Sequence, residues 1–333
     1  MRPDDLPRAL GRGLATLYTI HGDEALLALE SAQLIRDTAR ERGYSERDVL
    51  TVEAGFSWSQ LEMVGNSFSL FADKKLIELR IPSGKPGVEG GKAIEAYATR
   101  LPDDAITLVI LPKLDRTTLS GKWFNALAAN GEVIEARTVE RAQLPAWIAE
   151  RLKLQNQRLS ADAMQWLADR LEGNLLAAFQ EIQKLALLHP SGEITLEQLQ
   201  ASVANVARYD VFQLGNALLA GDASRFMRML DGLAAEGEAP HLVLWALAEE
   251  TRNLYKIAKG LKDGHPLGVL MKEHKIWGDK QKLIGPAAER IPLPVIREAM
   301  NRAAAIDRLN KGIGQGNVWD ELRAMALPLL GKA

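Results

Sequence analysis

Over residues 1–140, short apolar runs alternate with stretches in which apolar positions recur every three or four residues. The runs at 14–20, 48–53, 75–81, 105–111 and 132–136 predict strands, and the stretches at 23–42, 58–71, 92–101 and 117–129 predict helices. Strands that alternate with helices imply a parallel sheet covered on both faces. Between them, the stretch from Pro82 through Ser83, Gly84, Lys85, Pro86 and Gly87 to Gly91 is the most loop-like and predicts an exposed, mobile connection.

From Gln143 onward the strand pattern vanishes. Segments 145–155, 160–171, 175–189 and 195–205 predict four short helices, with Gly173 ending one and Asn174 capping the next. A third region begins at Tyr209 and is helical to the end, with breaks at Gly221-Asp222, 237–240, Gly264-His265-Pro266, Gly278, Pro292-Leu293-Pro294 and 312–316. The expected organisation is therefore α/β followed by all-α: a parallel-sheet domain at 1–140, a small helical domain at 141–208 and a larger helical domain at 209–333. A length of 333 residues agrees with more than one core.

Composition narrows the classes. The chain has no cysteine, which excludes disulfides and thiolate metal sites and suits a reducing cytoplasm. Residues 1–12 mix Arg2, Asp4, Asp5, Arg8 and Arg12 with no apolar core, unlike a secretory signal. The longest apolar run, at 105–112, is far short of the roughly 20 residues of a membrane span. A net charge of −2 argues against a general polyanion binder. Basic residues nevertheless concentrate at Arg252, Lys256, Lys259, Lys262, Lys272, Lys275, Lys280 and Lys282, opposed only by Asp263, Glu273 and Asp279. Such a run is either a solvated helix face or a patch that faces phosphates.

Nucleotide chemistry would need a phosphate cradle after the first strand. There the chain reads His21-Gly22 and turns into a helix that opens with Asp23-Glu24, so carboxylates meet the positive end of the helix dipole where an anion would sit. The Gly-Lys pairs at Gly84, Gly91, Gly121 and Gly331 are followed by Pro, Ala, Trp and Ala, never Ser or Thr. The strand best placed to end in a magnesium-organising acid, 107–111, runs into Pro112-Lys113. His21, His189, His241, His265 and His274 lack metal-ligand spacing, and no Gly-x-Ser-x-Gly elbow occurs. No catalytic, cofactor or metal site is expected; the alternative is an NTP-dependent enzyme with an atypical phosphate loop around Ser83 to Lys92.

The positive signal is Ser67-Phe68-Ser69-Leu70-Phe71-Ala72-Asp73-Lys74. Adjacent helical residues lie about 100° apart, so Leu70 and Phe71 cannot both face one buried stripe. One large apolar side chain is then free to anchor a partner, against the plainer reading in which both are core. Burying the pair in a partner would contribute roughly 3–6 kcal/mol. Association costs about 4–15 kcal/mol, so the pair would need surrounding contacts.

Along nearly its whole length the chain resembles the delta subunit of the bacterial DNA polymerase III clamp loader. The matching stretches are 18–27 (Tyr18 to Leu27), Ser69-Leu70-Phe71, Lys113-Leu114-Asp115, 172–185 (opening Glu172-Gly173-Asn174-Leu175-Leu176) and 317–322 (Asn317 to Leu322). The resemblance implies an AAA+-like module without a P-loop at 1–140, a helical lid at 141–208 and a helical collar at 209–333. It implies that Leu70 and Phe71, flanked by Ser67, Phe68 and Ser69, enter a pocket on the beta sliding clamp. It also implies gamma/tau and delta-prime partners that carry the ATP hydrolysis in a five-membered assembly, contact with DNA only within that complex, and a cytoplasmic location away from membranes. Leu176 stands where an active lid would carry a sensor arginine. An adaptor in another AAA+ complex is a third reading, distinguished by having no affinity for a clamp.

Overall fold

Five strands, β1 Leu17–Gly22, β2 Glu46–Thr51, β3 Lys75–Arg80, β4 Ala105–Ile110 and β5 Glu132–Ala136, build one sheet in the order β2-β3-β4-β1-β5. Every pairing is parallel, with Leu17 opposite Thr107, Tyr18 opposite Glu132 and Lys75 between Glu46 and Ala105. This computed structural model describes residues 1–66, 74–203, 209–278 and 280–331, and of Asn66 the backbone alone. It divides into two compact units, Met1–Leu144 and Pro145–Ala333.

In the first unit the two-residue period of the strands sends alternate side chains to opposite faces. Tyr18, Ile20, Leu76, Ile106 and Leu108 pack on one face with Ala32, Ile35 and Ala39 of helix Ala25–Glu41. Leu17, Leu79, Val109 and Leu111 pack on the other with Leu61, Ile94 and Phe124. Those three come from helices Ser59–Asn66, Gly87–Ala98 and Lys122–Asn130. Burial on both faces is why β1 and β4 read as nearly continuous apolar runs, and β3 does so apart from Lys75, Glu78 and Arg80.

The structure corrects several boundaries. Helix Leu6–Arg12, which the sequence did not announce, closes the first face with Leu6 and Leu10. The stretch expected to be a loop up to Gly91 instead enters a helix at Gly87. Gly90 serves packing: a Cβ there would lie 2.3 Å from a ring carbon of Trp58. Strand β2 starts at Glu46, two residues earlier than expected, because only one side of this edge strand is covered.

In the second unit the four short helices are Leu144–Leu154, Ala161–Leu171, Leu175–Leu188 and Leu196–Ser202. Gly173 takes φ +77 and the Asn174 side chain accepts from the Ala177 amide at 3.2 Å, the junction the sequence predicted. The expectation that strands end at Gln143 is wrong in detail. Gln157–Leu159 (β6) and Gly192–Ile194 (β7) form a small parallel sheet, held by buried Gln157, whose amide donates to the Leu185 and His189 carbonyls at 3.1 and 2.9 Å. Seven further helices lie between Val211 and Leu330 among the described residues and enclose one apolar core that includes Leu214, Phe226, Leu247, Leu254, Ile296 and Leu322.

Candidate functional site

The candidate anchors Ser67, Phe68, Ser69, Leu70 and Phe71 lie outside the described residues. Both of their flanks are described. Upstream, helix Ser59–Asn66 is fixed by Leu61, 1% exposed in the core, and by Gly65, where a Cβ would meet the Tyr97 ring at 2.9 Å. Tyr97 is itself set by a 2.8 Å hydrogen bond to Thr107, and burial pushes its phenol up to about 12. Downstream, the Lys74 ammonium lies 5.3 Å from the centre of the Tyr44 ring. Lys75 opens β3 as a buried side chain, and its Nζ donates to the Val64 carbonyl at 2.5 Å with Asp48 at 4.0 Å. A buried ammonium needs such partners, since burial without them is costly. Lys75 thereby ties one flank of the segment to the other.

That tie brings the two described flanks together at the start of β3. Lys75 opens β3 at the strand's N-terminal end, whereas ligands of open α/β sheets sit beyond the C-terminal ends. The described flanks of the candidate anchors thus meet at one rim of the sheet, and a nucleotide would be expected at the other.

At the C-terminal rim, β1 extends through His21 and Gly22, which the sequence had assigned to a turn. Gly22, at φ +150, lies so close to β5 that a Cβ would stand 1.9 Å from the Ala136 carbonyl oxygen. The Glu24 amide donates to that same carbonyl at 3.1 Å, and the Glu24 carboxylate accepts from the Leu26 amide at 3.4 Å. Asp23 accepts from Lys113 Nζ at 2.5 Å and from the Thr138 amide at 3.3 Å. Burial raises the Asp23 carboxyl, but the Lys113 bond and charge outweigh it and hold the group below its ordinary range. Burial raises Glu24. The helix N-terminus is therefore capped by the chain's own Glu24, and the ammonium of Lys113 is engaged by neighbouring Asp23.

The alternative loop at Ser83 to Lys92 is also internally engaged. Ser83 Oγ accepts from the Lys85 amide at 3.2 Å, and a Cβ on Gly84 would lie 2.8 Å from Leu114. Among the described residues no group of three or more His, Asp or Glu is arranged to hold a metal ion. No helix there is long and apolar enough to cross a membrane.

One perturbed carboxylate escaped sequence reasoning. Glu78 is fully buried in the middle of β3 and faces helix Ala25–Glu41, where Arg36 grips both its oxygens at 3.0 Å. Arg80 and Arg47 add contacts at 2.6 and 3.2 Å. Burial raises this carboxyl, and the bonds from Arg36 and Arg80 with the charges of Arg36 and Arg47 reverse that, holding it below the ordinary value. A charged residue inside an otherwise apolar strand was the available signal; its partners were not visible.

The basic residues fall on separate elements. Arg252, Lys256, Lys259 and Lys262 are exposed on helix Pro240–Lys262, Lys272 lies in the last turn of helix Leu267–Glu273, and Lys275 follows that helix. Arg252 is paired with Glu249 at 2.8 Å. Lys280, from the same sequence run, is drawn away to the buried Glu250. On helix Pro240–Lys262, Leu244, Leu247, Leu254 and Ile257 are core, while Trp245 is 53% exposed and meets Phe212 edge to face. Leu176, on helix Leu175–Leu188, is exposed.

Known proteins resemble this chain across its length. The family model described as DNA polymerase III, delta subunit matches residues 18–137, and that described as processivity clamp loader gamma complex DNA pol III C-term matches residues 211–333. DNA polymerase III subunit delta of Escherichia coli (strain K12) is 30% identical over 332 residues, covering 99% of this chain and 96% of that protein. Its Haemophilus influenzae counterpart is 28% identical, with 98% of each chain covered. Among solved structures, the Bacillus subtilis DNA clamp loader delta protein matches with a TM-score of 0.54 at 20% identity, covering 99% of this chain and 100% of that one, a likeness of fold.

Proposed function

Because this chain belongs to the DNA polymerase III delta-subunit family, and so to the clamp loader, we propose that it binds the beta sliding clamp and opens one of the ring's interfaces. Leu70 and Phe71 are the anchors, with Ser67, Phe68 and Ser69 beside them. The observation that carries this reading is the likeness to delta subunits over 99% of the chain. The acid-capped rim at Asp23 and Glu24 supports the accompanying inference that the chain hydrolyses no nucleotide and that gamma/tau and delta-prime subunits supply ATP-driven switching.

The work asked of such a subunit is differential binding: tighter to an opened ring interface than to a closed one. That needs an apolar anchor held on a rigid body. Strand β3, with Lys75 tying the flanks, supplies the body. We further assign 1–140 to the clamp-binding module, 141–208 to a lid and 209–333 to a collar that joins the other subunits in the cytoplasm. Arg252, Lys256, Lys259, Lys262, Lys272 and Lys275 meet DNA only in the assembled complex.

The test is a pull-down of the clamp by the chain carrying Leu70→Ala and Phe71→Ala. Clamp capture is lost, while the thermal midpoint and assembly with the other loader subunits are kept. A large drop in the midpoint would mark both residues as core and remove the anchor from this scheme.

A further inference from the structure

The Glu172-Gly173-Asn174 junction does more than turn the chain between two lid helices. Its glycine and asparagine shape the bend, and Glu172 closes helix Ala161–Leu171 with its carboxylate turned toward the collar. There Arg225 of helix Ala223–Ala235 donates from Nε at 3.1 Å and from Nη2 to the same carboxylate, with little of either side chain exposed. One helical turn away on each side, Asp169 pairs with Arg228 at 3.0 Å. Two acids three residues apart thus face two arginines three residues apart, the spacing that puts each pair on one helix face.

The surroundings single this contact out. Among the described residues, the apolar core of 211–330 takes no side chain from 145–203. Tyr209, the first described residue after 203, packs against Gly232, where a Cβ would lie 2.5 Å from its ring. Charged, forked Arg–carboxylate bonds are directional, unlike apolar packing, and so fix an angle.

We propose that Glu172–Arg225 and Asp169–Arg228 form an electrostatic clasp that sets the angle of the lid helices on the collar. The clasp is independent of the clamp-binding reading. Opening it frees the lid helices from that fixed angle.

The absence of cysteine allows clean spin labelling of the full chain. Labels at exposed Leu187→Cys and Lys259→Cys give one narrow distance distribution in the otherwise unaltered protein. Arg225→Glu with Arg228→Glu broadens or displaces it about twofold in width, as expected of a hinge released. Adding Asp169→Arg and Glu172→Arg restores the narrow distribution, since the charges are then exchanged. Should the reversed pair fail to fold by circular dichroism, Asp169→Asn with Glu172→Gln is read the same way. A folded variant whose distribution stays narrow and unmoved overturns the clasp, as does an exchange that leaves it broad.

Discussion

Lys75 Nζ donates to the Val64 carbonyl at 2.5 Å from a side chain only 2% exposed. The bond joins the end of one element to the start of the next, across the segment that carries Leu70 and Phe71. Lys75→Met keeps most of the volume and deletes the tie. The Val64 carbonyl then loses this donor, so stability should fall by about 1–3 kcal/mol. Clamp affinity should fall roughly tenfold, or ~1.4 kcal/mol, because the anchors lose a fixed mount. Urea unfolding and surface plasmon resonance read the two quantities, and unchanged affinity would show that the tie does not position the anchors.

Gly22→Ala tests the closed rim. The added carbon would stand 1.9 Å from the Ala136 oxygen at φ +150, with backbone on both sides of the clash. A loss of about 3 kcal/mol or more is expected, since neither strand can yield. Gly43→Ala, at φ +92 with open space around it, should cost only about 1 kcal/mol. Equal losses in the two variants would mean that conformation alone, and not the approach of β5, governs Gly22.

Acid should unfold the first unit in two stages. His21, against the edge of Phe124, is held below its ordinary value by burial, so the unfolded chain takes up a proton that the fold refuses. Stability is therefore lost as pH falls from about 6.5 toward the depressed folded value. Glu78 is also depressed, by its arginines acting against burial. Its contribution is complete above the unfolded carboxylate value of about 4.3 and disappears as pH falls through the lower folded value. In urea titrations across pH, His21→Gln should erase the upper stage. Glu78→Gln should erase the lower one and, by leaving arginines unpaired, cost about 3–5 kcal/mol at neutral pH. A wild-type midpoint flat from pH 7 to 5 would refute the assignment to His21.

What the sequence disclosed follows from how far each signal reaches. Strands β1, β3 and β4 are covered on both faces, and their apolar runs predicted them. The start of β2 was hidden because an edge strand needs few apolar residues, and β6 and β7 are too short for a period to show. Helix Leu6–Arg12 buries only Leu6 and Leu10, too few to stand out among charges. Asp23 and Glu24 were legible as acids at a helix start, but Lys113 lies 90 positions away and could be found only in the fold. The same holds for Arg36 on Glu78 and Arg225 on Glu172, pairs 42 and 53 positions apart.

Strand β3 has six residues, which at about 3.3 Å each keeps the two rims of the sheet some ~20 Å apart. Screening in salt leaves little electrostatic crosstalk over that distance. Sequence drift at Asp23, Glu24 and Lys113 can therefore proceed without retuning the far rim. Each end of such a strand can change its chemistry without consulting the other.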